Sequence, residues 1–178
     1  MSNRYFALLR ALFFAALFVS LWTWFIPRWI AASQRVTLAV EWRGLALPLL
    51  AAGAAIMCKC VFDFAWSGRG TPAPWDPPRR LVVTGLYRYV RNPMYVGMIL
   101  FLTGEALVLP PITRELLLVV AGFWAAVMLF ILLHEEPALR AQFGEDYRLY
   151  CANVRRWIPR LTPFDNRSIR GVPSPDLE

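Results

Sequence analysis

Four apolar runs, residues 5–26, 45–66, 94–109 and 115–133, approach or reach the ~20 residues that an α-helix needs to cross a bilayer core. No other feature restricts the fold so severely, because backbone groups in lipid find partners only inside helices or closed barrels. With hydrophobic residues at 58% and a mean hydropathy of +0.45, the chain is expected to be an all-α integral membrane protein with about four transmembrane helices. The third run is short, so it tilts, kinks or stops short of the far interface. The first run is too long for a signal peptide and no small-residue cleavage site follows it, which makes it a spanning helix.

The formal net charge of +7 would suggest nucleic acid in a soluble chain. Here the arginines sit mainly in loops beside apolar runs, and membrane topology accounts for them better. Loop 65–93 carries Arg69, Arg79, Arg80, Arg88 and Arg91 against Asp76 alone, whereas the 110–114 turn holds only Arg114. Loop 65–93 is therefore expected in the cytoplasm, and an even number of spans puts both termini on the same side. Arg28, Arg35 and Arg43 in the first loop run against this orientation.

Cysteine and histidine usage argues against metal chemistry. Cys58 and Cys60 lie two residues apart inside one apolar run, Cys151 is distant in sequence, and no metal-ligand spacing exists. His134 is the only histidine, and its position at a run's end suits a solvated interfacial residue. Segment 67–80 has four prolines and two glycines and reads as a cytoplasmic loop or strap. Its Gly68-x-Gly70 follows no strand, so a dinucleotide-binding unit is absent. In segment 137–151 Pro137 suits a first helical position, Glu135 and Glu136 suit a helix start, and Leu139, Phe143, Tyr147 and Tyr150 form one stripe. These features predict an amphipathic helix on the membrane surface. One membrane-embedded domain over residues 1–160 and a polar, mobile tail over 161–178 complete the organisation.

Two places concentrate the chemistry. Asn92-Pro93 is a strong helix start, and Arg88 and Arg91 beside it offer charge to a carboxylate or phosphate. The bland alternative is that these arginines serve lipid headgroups and topology. Glu135-Glu136 closes the fourth run; its carboxylates serve the helix start, or accept hydrogen bonds from hydroxyl or ammonium groups. Lys59 and Asp63, at i and i+4 in the second run, are expected to form an internal ion pair.

The ordered residues Tyr87-Arg88-Tyr89-Val90-Arg91-Asn92-Pro93-Met94-Tyr95-Val96-Gly97, Glu135-Glu136-Pro137-x-Leu139, Phe143-Gly144-x-x-Tyr147-x-x-Tyr150 and Trp157-Ile158-Pro159 resemble the isoprenylcysteine carboxyl methyltransferase and phospholipid methyltransferase family over roughly residues 70–160. The resemblance implies a helical membrane enzyme that binds S-adenosylmethionine on the cytoplasmic side of a membrane, expected to be the bacterial cytoplasmic membrane. Carried over residue by residue, it makes Tyr89, Arg91, Asn92, Tyr95, Gly97, Glu135, Glu136 and Tyr147 cofactor-site candidates. Two positions depart from the family pattern. Asn92 stands where the family frequently has His, and Asn does not titrate near neutrality, which removes a general base there. Asn153 stands where family members place an Arg, so Arg155 and Arg156 become the catalytic candidates in its stead.

The expected reaction is methyl transfer to a lipophilic acceptor or lipid carrying a carboxylate, amine or thiol. Holding the acceptor in line with an activated methyl group needs proximity in a dry site, and neither a metal nor a nucleophile. The partners expected are the lipid bilayer and this acceptor, with no nucleic acid. A runner-up follows from Phe143-Gly144-x-x-Tyr147-x-x-Tyr150-Cys151 and Trp157-Ile158-Pro159, which are also similar to NADPH-dependent membrane sterol reductases. A non-catalytic membrane scaffold of the same fold is the third reading.

Overall fold

Leucine and alanine are the commonest residues of the apolar runs, and both are strong helix formers whose backbone polar groups are satisfied within a helical segment. The computed structural model describes Leu9, Phe13, Leu17, residues 20–31, 43–63, 81–108 and 112–165, and Ile169. Among the described residues every regular element is helical. The first described element is a π turn at Leu21–Phe25 that leads into α1 (Ile26–Ala31), followed by α2 (Arg43–Asp63) and a 3₁₀ turn at Gly85–Arg88. Next come α3 (Pro93–Val108) and α4 (Thr113–Phe130), then a second π turn at Ile131–Glu135 and α5 (Glu136–Asn153). Most of run 5–26, loop 67–80 and the tail beyond Ile169 lie outside the described residues.

Among the described residues two helical stretches are long and apolar enough to cross a membrane, Gly44–Asp63 with 20 residues and Thr113–Asn153 with 41. Helix α3 has 16 residues, which at ~1.5 Å per residue is shorter than a ~30 Å hydrocarbon core, as its sequence predicts. Leu45 and Leu47 on α2, and Leu118 and Leu129 on α4, are exposed large apolar side chains.

The chain divides into two compact units. One comprises Phe13–Met57 and Met94–Leu129. Its central feature is the close approach of α2 and α3. A Cβ on Gly53 would lie 2.6 Å from the Gly97 carbonyl oxygen and the Phe101 backbone nitrogen, and one on Gly104 would lie 2.9 Å from the Ala46 carbonyl oxygen. Small residues at such crossings let helix backbones approach closely. Ala106, Ile112 and Leu116 form a buried cluster with Ile26 and Ile30 against it, and the Thr113 hydroxyl donates to the Ala106 carbonyl at 2.8 Å.

The other unit comprises Met1–Leu12, Cys58–Pro93 and Phe130–Glu178. Leu81, Val83, Tyr147, Tyr150, Val154, Phe164 and Ile169 make its core, with Leu139, Phe143, Leu149 and Cys151 packed against them. The stripe of α5 expected on the membrane surface is thus the face that builds this core. The packed region also extends past residue 160, since Phe164 and Ile169 are buried. Lys59 and Asp63 pair as their spacing predicts. Gly85 begins the 3₁₀ turn at φ +52°, and a Cβ there would run into the Asp63 carboxylate and lie 2.9 Å from Lys59 Nζ. Gly144 also has φ +52°, with ψ −120°, and breaks α5 at that point, but a Cβ there meets nothing within 4 Å.

Candidate functional site

The Tyr-Arg segment has no regular partner of its own, and the C-terminal segment supplies one. The Arg91 N–H donates to the Arg155 carbonyl, the Arg160 N–H to Tyr89 and the Phe164 N–H to Arg88, each at 2.9 Å. The numbers descend on one side as they rise on the other, so the two segments lie antiparallel. Arg88 Nε adds a 2.7 Å bond to the Phe164 carbonyl, and Asn92 Nδ2 donates to the Arg156 carbonyl at 3.3 Å. Beneath them the Tyr150 hydroxyl donates to the Tyr87 carbonyl at 2.7 Å. That bond is buried, so Tyr150→Phe should leave the Tyr87 carbonyl unsatisfied and cost about 1–3 kcal/mol in an unfolding titration. An unchanged midpoint would mean that water replaces the phenol there.

This pairing brings two arginines to one carboxylate. Arg156 grips Glu136 with both prongs, Nε to Oε1 at 2.8 Å and Nη2 to Oε2 at 3.0 Å. Arg91 Nη1 reaches the same Oε1 at 3.1 Å and Arg140 Nη2 approaches Oε2 at 3.7 Å. Glu136 is only 6% exposed. Burial alone would raise its pKa, but the Arg156 hydrogen bonds and the charges of Arg91, Arg156 and Arg140 outweigh it and hold the carboxyl below its ordinary range. Three guanidiniums about one carboxylate leave a local excess of positive charge. Arg91 also donates to Cys151 Sγ at 2.8 Å, while its Nε is buried without a hydrogen-bond partner. Burial pushes the phenols of Tyr87, Tyr147 and Tyr150 above their ordinary range, so none serves as a base near neutrality.

The expectation that Glu135 and Glu136 sit at a fresh helix start needs correction. Glu135 itself has right-handed helical angles and makes no side-chain cap, because the π turn carries the helix straight from α4 into α5. Glu136 therefore answers to arginine side chains rather than to free backbone N–H groups. Glu135 is half-buried, and its charge is felt at Tyr87.

The sequence-predicted residues other than Glu135 fall into four groups. Arg91, Asn92, Glu136 and Arg156 are brought together. Tyr89 and Arg155 contribute backbone carbonyls to the antiparallel pairing, with the Arg155 side chain exposed. Tyr147 is buried in the core, its ring 6.3 Å from that of Tyr150. Tyr95 and Gly97 belong to the α2–α3 unit, where Gly97 sits at the helix crossing with Ile56 Cγ2 2.8 Å from its Cβ position. Asn153, at the position where the family motif has Arg, bonds back to the Leu149 carbonyl at 2.9 Å. Two participants were missed, Arg140 and Cys151. The i, i+4 spacing of Glu136 and Arg140 was the available signal for the first, and for the thiol there was none.

Comparison with known proteins supplies the context for this cluster. No curated protein and no solved structure matches the chain. The family model for phospholipid methyltransferase matches residues 43–146, from the start of α2 into α5, and includes Arg91, Asn92, Glu136 and Arg140. That match covers more than half of the 178 residues, and the chain belongs to the phospholipid methyltransferase family.

Proposed function

We propose that the protein is an S-adenosylmethionine-dependent methyltransferase of the membrane, acting on a lipophilic or membrane-partitioned acceptor with a carboxylate, amine or thiol. Family membership supports methyl transfer, and the exposed apolar faces of α2 and α4 support membrane insertion. In this reading the Arg-rich loop 65–93 and both termini face the cytoplasm, and the membrane is a bacterial cytoplasmic one.

The observation that carries the cofactor assignment is the buried, unpartnered Nε of Arg91 beside an excess of guanidinium charge. A buried donor without a partner costs about 1–3 kcal/mol, and an anionic group on a ligand would remove that cost. The carboxylate of S-adenosylmethionine is such a group, held by Arg91 with Arg156 beside it. When bound, the cofactor supplies a sulfonium-activated methyl group. The chain's own work is placement. Glu136 fixes the planes of both guanidiniums, the 155–164 segment holds the Tyr-Arg loop from outside, and the protonated tyrosines keep the interior free of additional charge. Tyr89, Asn92, Tyr95, Gly97, Glu135, Glu136 and Tyr147 are proposed to shape the cofactor site, and Arg155 and Arg156 to act toward the acceptor.

The test uses detergent-solubilised protein and two ligands, S-adenosylmethionine and its decarboxylated analogue. Arg91→Ala should weaken binding of the first by about 1.5–3 kcal/mol, the worth of a charge-assisted hydrogen bond. Binding of the analogue should change far less. Arg91→Lys keeps the charge but loses the planar fork, and should fall between wild type and Ala. Equal losses for both ligands, or no stabilisation of wild type by either, would overturn the assignment.

A further inference from the structure

Outside the guanidinium cluster, the most unusual surface belongs to the short segment that follows α5. Leu161 is 101% exposed and Ile158 is 61% exposed, although both belong to the stretch whose backbone is tied to the Tyr-Arg loop. A single exposed leucine is ordinary on any protein. Here two apolar side chains alternate with basic ones, since Arg155 is exposed and Arg160 is half-exposed. Arg160 is also anchored, donating Nη1 to the Asn153 carbonyl at 2.8 Å and lying 5.8 Å over the Phe164 ring. The segment is thus a rigid display of apolar and cationic groups.

Its depth follows from the ion cluster. The apolar part of the fourth run ends at Leu133, itself 66% exposed, and Glu136 comes three residues later, about 4–5 Å along a helix. Arg156 is bonded to Glu136 at 3.0 Å, and Ile158 is two residues further on, within ~7 Å of extended chain. Ile158 therefore lies near the level where the apolar helix surface gives way to charge, and Leu161, fully exposed three residues further on, continues the same backbone-tied stretch. Apolar residues at that level insert among acyl chains while neighbouring arginines stay with headgroups. Cationic side chains there favour anionic over zwitterionic lipid.

The geometry points to residues 155–161 as an interfacial loop that seats Ile158 and Leu161 in the bilayer and holds anionic phospholipid headgroups with Arg155 and Arg160. The inference rests on the membrane reading above, and the experiment separates the two. The full chain is reconstituted in nanodiscs of equal parts phosphatidylcholine and phosphatidylglycerol, with the photoreactive residue p-benzoylphenylalanine in place of Leu161 or, in a second protein, of Leu118. Leu118 is 64% exposed on α4 and serves as the lipid-facing reference. Irradiation and intact-mass analysis identify what each position touches.

Position 161 should yield lipid adducts enriched in phosphatidylglycerol by roughly fivefold over position 118, the fold-change that corresponds to ~1 kcal/mol for one basic residue at an anionic surface. Arg155→Gln should lower that enrichment, and Arg155→Lys should preserve it. Lipid adducts at 118 but none at 161 would overturn the inference and leave the membrane reading intact. Adducts at 161 with the same lipid ratio as at 118 would overturn the anionic preference. No lipid adduct at either position would overturn the membrane reading, and the loop's role with it.

Discussion

Glu136→Gln should lower unfolding stability by about 3–5 kcal/mol, the loss expected when one partner of a buried ion pair is removed and the others stay. The figure is large because Glu136 satisfies Arg156 through two bonds and Arg91 through a third, and both guanidiniums are mostly shielded from water. A purely ligand-contacting carboxylate would behave otherwise, losing cofactor affinity while the fold kept its stability. Denaturation in mild detergent separates the outcomes. A wild-type midpoint together with weakened S-adenosylmethionine binding would show that the arginines are held in place without this carboxylate.

Acid should reproduce the same loss. The folded pKa of Glu136 lies below its unfolded value, so its contribution is complete above the ordinary carboxylate range and disappears as pH falls through the depressed folded value. Glu136→Gln should accordingly flatten the acid limb of the stability profile. Identical limbs in the two proteins would assign acid sensitivity to other groups.

Gly85→Ala should be more damaging than Gly144→Ala, the other described glycine of its unit. A side chain at φ +52° costs on the order of 1–3 kcal/mol, and the new Cβ would also collide with the Asp63 carboxylate at the head of the loop that carries Arg91. Relieving that collision adds roughly 1–3 kcal/mol. Gly144→Ala is the matched control, because it shares the φ of +52° but its Cβ position is open. Both variants should lose stability, with Gly85→Ala losing more. Equal losses would show that Asp63 and Lys59 move aside freely.

What could be read in the sequence followed from period and spacing. The apolar runs located α2, α3 and α4, and i, i+4 spacing located the Lys59–Asp63 pair. The two charged motifs also meet, through Arg91 and Glu136. The uninterrupted passage from α4 into α5 escaped because Glu-Glu-Pro reads identically whether a helix begins there or continues. Extended chain sends successive side chains to opposite faces, so only tertiary pairing could choose Arg156 over Arg155 as the partner of Glu136. Phe164 and Ile169 stand alone in an aperiodic stretch, where no period marks them as core. Gly97 shows in its motif but not in its packing, since its close neighbours come from another helix.

The antiparallel pairing dictates when the protein can mature during its synthesis. Arg91 emerges from the ribosome 45 residues ahead of Glu136, Asn92 is 64 residues ahead of Arg156, and Arg88 is 76 ahead of Phe164. At roughly 5–20 residues per second, the Tyr-Arg segment waits several seconds for its partners. At the start of that interval α2 is already made and α3 follows directly behind, and until Glu136 emerges the guanidinium of Arg91 has only water or lipid phosphate to answer it. Assembly of the cluster is thus a closing event of translation, and a chain ending just before Arg156 would leave the ribosome with its apolar helices complete and its charged centre unfinished.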